Sequence, residues 1–231
     1  MTTAETRYAR ISTRTLVLIA IGLVAGLAYL LAGRLGDSAL LRLVAKPVPV
    51  LCLALWVSFL PRRGRYQGAV AAGLLLCALG DILLEAADAT FLLGLVAFLL
   101  GHVAYVVAFT RDSRRLFLPG AVLAYGYGVL VYAYLTTAGD LGALAVPVLV
   151  YMLVICTMLW RASARVGVPS IVRSSALAGL AGALFFTASD SILALRMFGT
   201  PVDLGGITVM LTYWVGQLLI AFSARDASPT R

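Results

Sequence analysis

Eight apolar runs of about 20 residues follow one another along this chain, and they constrain its fold more than any other feature. A helix of about 20 apolar residues crosses a hydrocarbon core of roughly 30 Å. Each run is continuously apolar rather than alternating, which excludes a membrane β-barrel, and helices satisfy their own backbone groups in lipid. We therefore predict an all-α integral membrane protein with eight transmembrane helices near residues 15–33, 40–60, 67–87, 90–109, 118–137, 142–162, 174–196 and 205–224.

The basic residues of the chain are distributed unevenly between the predicted loops. The 18 basic and 10 acidic residues give a formal net charge of +8. Because cytoplasmic loops are enriched in Lys and Arg, we expect both termini in the cytoplasm, with an N-terminal segment at 1–14, a transmembrane domain at 15–224 and a tail at 225–231. In a bacterium the membrane would be the inner one, and the charge gives no reason to expect a nucleic-acid partner. The cytoplasmic side receives 14 basic residues, namely Arg7, Arg10, Arg14, Arg62, Arg63, Arg65, Arg111, Arg114, Arg115, Arg161, Arg165, Arg173, Arg225 and Arg231.

Two aspartates lie inside apolar runs, Asp81 in the third and Asp190 in the seventh. A carboxylate at membrane depth costs about 2.5–3.5 kcal/mol on insertion scales. Interhelical hydrogen bonds in membranes contribute only about 1–2 kcal/mol or less, which is weak compensation for that cost. We therefore expect both aspartates to belong to a functional site rather than to hold the bundle together.

The two halves of the chain contain similar short sequence segments. Ala45-Lys-Pro-Val-Pro-Val in the second span has a counterpart in Ala145-Val-Pro-Val-Leu-Val in the sixth, and Gly80-Asp81 has one in Ser189-Asp190. Spans that are four apart share an orientation, so the pattern suggests a parallel four-plus-four repeat. Such a repeat would place the two aspartates across a pseudo-twofold axis.

Lys46 and Glu85 each admit two interpretations. Lys46 either extends to the outer interface or pairs with an aspartate or a lipid phosphate, and Pro47 breaks the helix beside it. Glu85 follows Asp81 by one helical turn on the same face. It is either a solvated residue at the rim or a member of the site.

Four further polar residues fall in the outer half or middle of the spans: His102, Tyr151, Tyr213 and Gln217. His102 is the one histidine of the chain, so a transition-metal site has no support from ligand spacing, and we expect neither a metal nor a cofactor. The histidine either bridges helices or takes part in the site, and buried tyrosines commonly need a hydrogen-bond partner in any case. Motifs of serine esterases and zinc proteases are absent from the sequence.

Several segments of the chain resemble the YhhN-like lysoplasmalogenase family. The resemblance covers residues 15–224, and it is carried by Lys46-Pro47, Leu79-Gly-Asp-Ile-Leu-Leu84, Phe91-Leu-Leu-Gly-Leu-Val-Ala-Phe-Leu-Leu-Gly-His-Val-Ala-Tyr105, Ser189-Asp-Ser191 and Leu211-Thr-Tyr-Trp214. It implies a membrane hydrolase that cleaves the vinyl ether bond of lysoplasmalogens to a fatty aldehyde and glycerophosphocholine or glycerophosphoethanolamine. The implied partners are a lysophospholipid substrate and membrane lipid.

The implied reaction suits a pair of carboxyl groups. An enol ether hydrolyses through protonation of its β-carbon, and this step needs one protonated acid and one base or anionic stabiliser, as in glycoside hydrolysis. We expect Asp81 and Asp190 to share these roles, with the assignment between them open, and Lys46 to hold the phosphate or tune one carboxyl. Glu85, His102, Tyr151, Tyr213 and Gln217 would bind substrate or support the pair. The competing class is a small-solute or ion transporter that uses the same acids.

Overall fold

A computed structural model describes residues 12–32, 36, 38–61, 64–139, 141–199 and 205–225. Most of the predicted N-terminal segment and the C-terminal tail after Arg225 lie outside the described residues, as do Arg62 and Arg63. The sidedness of the termini therefore stays a prediction from the arginine distribution.

The described residues fold into nine α-helices, of which two short ones form the second span. Their bounds differ from the predicted spans by three residues or fewer, apart from the break within the second span. Eight of the described helical segments are long and apolar enough to cross a membrane. The helices are α1 (Thr13–Ala32), α2 (Ala39–Ala45), α3 (Val48–Ser58), α4 (Arg65–Ala86), α5 (Phe91–Asp112), α6 (Leu118–Ala138), α7 (Ala145–Ser163), α8 (Arg173–Phe198) and α9 (Gly205–Arg225).

The second span is interrupted at Lys46 and Pro47, where the sequence predicts a break. α2 ends at Ala45 and α3 begins at Val48, because the Pro47 ring has no N–H to donate to the preceding turn. Both connecting residues keep right-handed helical dihedrals, so the chain continues in nearly the same direction. The interruption places the Lys46 side chain inside the bundle, where it is 9% exposed.

Helix packing is closest within two pairs, α4 with α5 and α8 with α9. Between α8 and α9, a Cβ added to Gly182 would lie 2.8 Å from the Gly216 carbonyl oxygen, and one added to Gly216 would lie 3.0 Å from the Gly182 oxygen. The two backbones can approach this closely because both positions are glycine. The two tight pairs correspond to spans 3–4 and 7–8, the correspondence that a four-plus-four repeat requires, and the repeat itself stays a prediction.

Two arginines that the sequence analysis assigns to a cytoplasmic loop are buried structural residues. Arg165 is 0% exposed, and its Nη2 lies 2.8 Å from the Asp112 carboxylate and 2.7 Å from Ser175 Oγ. Its guanidinium also lies over the rings of Tyr66 and Phe109. Arg161 donates to the Arg115 carbonyl, to the Ser113 carbonyl and to Thr110 Oγ1. Both arginines therefore join α5 to the end of α7 and, through Arg165, to α8.

We expect Arg165→Met to destabilise the fold by about 3–5 kcal/mol, because it leaves the Asp112 carboxylate buried without its partner. Thermal unfolding of the purified protein in detergent measures the effect. Arg114→Met is the matched control, since Arg114 is exposed on the same side of the bundle. Equal unfolding temperatures for the two variants would contradict the structural role of Arg165.

Candidate active site

Asp81 lies on the inner face of α4 and is 1% exposed. Tyr213, from α9, donates a hydrogen bond from its hydroxyl to Asp81 Oδ2 at 2.7 Å. The hydroxyl is held in place because the Tyr213 ring packs edge-on against Phe98 and Phe186, with centroids 5.8 and 5.3 Å away. The polar contact to Asp81 thus comes from a side chain whose position is fixed by aromatic packing.

Asp190 lies on α8 and receives the corresponding contact from α7. Tyr151 donates its hydroxyl to Asp190 Oδ2 at 2.5 Å, and His102 Nε2 from α5 lies 3.6 Å from the same oxygen. The Asp190 side chain is 16% exposed. Each aspartate is therefore held by one tyrosine from a neighbouring helix, and Asp190 also faces the histidine.

His102 is fully buried, and its two ring nitrogens have different surroundings. Nδ1 lies 2.8 Å from the Phe98 carbonyl oxygen, one turn earlier on α5. Because a carbonyl oxygen only accepts, Nδ1 must carry a proton, and Nε2 of a neutral ring is then an acceptor. Among the described residues Nε2 has no hydrogen-bond partner. The ring packs edge-on against Phe186 at 4.5 Å and Tyr151 at 5.2 Å, which fixes the direction in which Nε2 points.

Lys46 and Glu85 form an ion pair, so Glu85 is not the solvated rim residue that was one of its two interpretations. The role of Lys46 toward an aspartate or a phosphate stays a prediction. Lys46 Nζ lies 3.1 Å from Glu85 Oε2, and Arg42 Nε lies 2.8 Å from Glu85 Oε1. The Lys46 and Glu85 side chains are 11% and 14% exposed, so the lysine does not extend to the interface. Two cations from one span therefore contact Glu85, an arrangement that the spacing along the sequence does not reveal.

A cavity of about 370 Å³ brings the predicted residues Lys46, Asp81, Tyr151, Asp190 and Tyr213 together in its lining. The remaining predicted site residues are not among the described residues that line it. Gln217 is fully buried and accepts a hydrogen bond from Tyr105 at 2.6 Å. The rest of the cavity wall is largely apolar and includes Leu84, Phe91, Leu95, Val148, Met152 and Met210.

The lining also contains residues that the sequence analysis does not predict for the site, notably Tyr29 from α1 and Arg196 from α8. Arg196 follows Asp190 by six residues, a spacing that does not place two residues on one face of a helix, so the sequence does not point to it. Ser189 lines the cavity beside Asp190 and donates to the Val209 carbonyl at 2.8 Å, which ties α8 to α9 at this level. Tyr29 carries no signal in the sequence either, because its place depends on how α1 packs.

The fold is that of a multi-pass α-helical membrane protein, and two aspartates line one of its cavities. The model of the YhhN family matches residues 41–224, and the chain belongs to that family.

Named relatives cover most of the chain. It is 34% identical over 181 residues to lysoplasmalogenase TMEM86B of Homo sapiens, covering 78% of this chain and 74% of the relative. Lysoplasmalogenase TMEM86A of Homo sapiens is 36% identical over 190 residues, covering 79% and 77%. A lysoplasmalogenase homolog of Dictyostelium discoideum is 27% identical over 87% of this chain and 82% of its own length. No solved structure matches the chain significantly.

Proposed function

We propose that this protein is a lysoplasmalogenase, a hydrolase that cleaves the vinyl ether bond of a lysoplasmalogen. The observation that carries the proposal is the pair of aspartates, Asp81 and Asp190, in the lining of one cavity with largely apolar walls. Relatives named lysoplasmalogenase support the reaction type. The products would be a fatty aldehyde and glycerophosphocholine or glycerophosphoethanolamine.

The reaction adds one water across the vinyl ether. A proton is added to the β-carbon of the double bond, which leaves an oxocarbenium ion; water adds to the cationic carbon and loses a proton, giving a hemiacetal. The hemiacetal breaks its bond to the glycerol oxygen, which takes a proton, and an aldehyde forms. One carboxylic acid and one carboxylate supply the proton donor and the anionic stabiliser, in the manner of paired carboxyl groups at other oxocarbenium-like transition states.

Within this mechanism Asp190 is the proton donor. His102 Nε2 and Asp190 Oδ2 face each other at 3.6 Å, and in a neutral ring Nε2 is an acceptor because Nδ1 donates to the Phe98 carbonyl. Two acceptors in a buried site repel unless one of them carries a proton. A protonated Asp190 removes the repulsion and holds the proton beside the cavity. Asp81, which accepts from Tyr213, is then the carboxylate that stabilises the oxocarbenium ion and accepts a proton from the attacking water.

The protonation of His102 can be measured directly, because the chain contains one histidine. Protein labelled with ¹⁵N-histidine should show a neutral ring that is protonated at Nδ1 and not at Nε2. Asp190→Ala should change the Nε2 resonance more than that of Nδ1, while Asp88→Ala, at an exposed acid, should change neither. A ring protonated at Nε2, whether neutral or cationic, would place the negative charge on Asp190 and contradict its assignment as the proton donor.

The function itself is tested by incubating purified, detergent-solubilised protein with a lysoplasmalogen and measuring aldehyde. A lysolipid with a saturated ether at the same position is the control substrate. The proposal expects aldehyde from the vinyl ether alone. Absence of aldehyde together with a solute flux through proteoliposomes that depends on Asp81 and Asp190 would instead support the transporter class.

A further inference from the structure

Two cations lie in the lining of the cavity, Lys46 at the α2–α3 break and Arg196 near the end of α8. Lys46 already contacts a carboxylate, in an ion pair with Glu85 at 3.1 Å that Arg42 shares. Arg196 forms no ion pair with any carboxylate among the residues that the structure describes. A lysine with a buried carboxylate partner is a poor phosphate ligand, because an anion would have to compete with that carboxylate.

The Arg196 guanidinium lies against the first turn of α9. A Cβ added to Gly206 would come within 3.4 Å of Arg196 Nη1, and Gly206 also lines the cavity. The absence of a side chain at position 206 therefore leaves room for the guanidinium beside α9. Arg196 is exposed overall and also lines the cavity, so it is accessible to a ligand.

The rise of α8 between Asp190 and Arg196 is comparable with the length of the substrate segment that would lie between them. The two residues are six positions apart on α8, which is about 9 Å along the helix axis. In a lysoplasmalogen seven bonds join the phosphorus to the vinyl carbon that takes the proton, which is roughly 8 Å at about 1.2 Å per bond of an extended chain. A substrate with its vinyl ether beside Asp190 can thus bring its phosphate to Arg196.

We infer that Arg196 forms a phosphate subsite, in which its guanidinium binds the phosphodiester of the lysolipid head group. The inference rests on the proposed function, because its ligand is the head group of that substrate class. A planar guanidinium can donate two parallel hydrogen bonds to a phosphate, which makes arginine well suited to this role. The residue that binds the phosphate would then be Arg196 rather than Lys46, for which phosphate binding is one of the roles predicted from the sequence.

The test measures binding rather than cleavage, so its outcome does not depend on hydrolysis. The two probes are a saturated-ether lysophosphocholine, which cannot be cleaved as a vinyl ether, and the matching saturated-ether glycerol without phosphate. In detergent free of phospholipid, Arg196→Gln should lower the affinity for the phosphate-bearing probe by about 10- to 100-fold, the range of a hydrogen bond to a charged group. The affinity for the phosphate-free probe should change by no more than about twofold. Arg114→Gln, at an exposed arginine outside the cavity lining, is the control and should change neither affinity.

Two results would overturn the subsite. Equal losses for both probes would show that Arg196 only maintains the shape of the cavity, and unchanged affinity for the phosphate-bearing probe would show that it does not contact the head group. If binding follows the expected pattern but no aldehyde forms from a vinyl ether substrate, the subsite stands and the proposed hydrolysis fails. If aldehyde forms and binding does not follow the pattern, the hydrolysis stands and the subsite fails.

Discussion

Asp190→Asn is expected to lower kcat/KM for lysoplasmalogen hydrolysis by about 10²–10⁴-fold, the usual contribution of a positioned general acid. The amide has nearly the shape of the acid, so it can still accept from Tyr151, whose hydroxyl lies 2.5 Å from Asp190 Oδ2. It has no acidic proton to give to the vinyl carbon. The loss should therefore appear in kcat, with binding of a saturated-ether lysolipid little changed.

Two controls separate a chemical loss from a structural one in this variant. Asp88→Asn, at an exposed acid between α4 and α5, should keep normal turnover. The thermal unfolding temperature of Asp190→Asn should stay close to that of the parent protein. Turnover within about threefold of the parent would contradict the assignment of Asp190 as the acid, because general acid catalysis contributes far more than that.

Asp81→Asn is expected to lower kcat by about 10²–10³-fold, the range found when one preorganised electrostatic contact to a transition state is removed. Asp81 is 1% exposed, so its charge acts on the cavity with little screening by water. The variant loses the anion that faces the oxocarbenium ion and keeps the side-chain volume. The measurement is single-turnover aldehyde release, which reports on chemistry without product release.

Tyr213→Phe is the companion to Asp81→Asn, since it removes the hydroxyl that lies 2.7 Å from Asp81 Oδ2 and leaves the ring. It should reduce turnover less than Asp81→Asn does, because the carboxylate remains in the cavity. Normal single-turnover rates for a folded Asp81→Asn protein would exclude Asp81 as the stabilising carboxylate. The proton donor could then still be Asp190.

The transmembrane helices could be predicted because their determinants are local. Runs of apolar residues fix where a helix begins and ends in lipid, and the missing N–H of Pro47 fixes the break in the second span. The ion pair of Lys46 with Glu85 joins residues 39 positions apart, and that of Arg165 with Asp112 joins residues 53 positions apart. No local pattern specifies such pairs, so nothing in the sequence distinguishes Arg165 from the other basic residues of the predicted cytoplasmic loops.

In the candidate site, too, some residues could be predicted from the sequence and the contacts between them could not. Asp81 and Asp190 stand out from the sequence because each is a buried acid in an apolar run, and a physical cost marks them without any knowledge of the fold. Which tyrosine holds which aspartate depends on how α7, α8 and α9 pack, and so does the approach of His102 to Asp190. The sequence does not mark Arg196 as a site residue, because a cation near the end of a span is ordinarily a residue of the membrane interface.

The central claim is that a carboxylic acid in the cavity protonates carbon, and hydrolysis in D₂O tests it most directly. The account predicts that lysoplasmalogen yields an aldehyde with one deuterium on the carbon next to the carbonyl, detected by mass spectrometry after immediate reduction to the alcohol, and that a saturated-ether lysolipid yields none. Asp190→Asn should slow formation of this labelled product by about 10²–10⁴-fold. Aldehyde formed without deuterium at that carbon, or no aldehyde from the vinyl ether at all, would contradict the account.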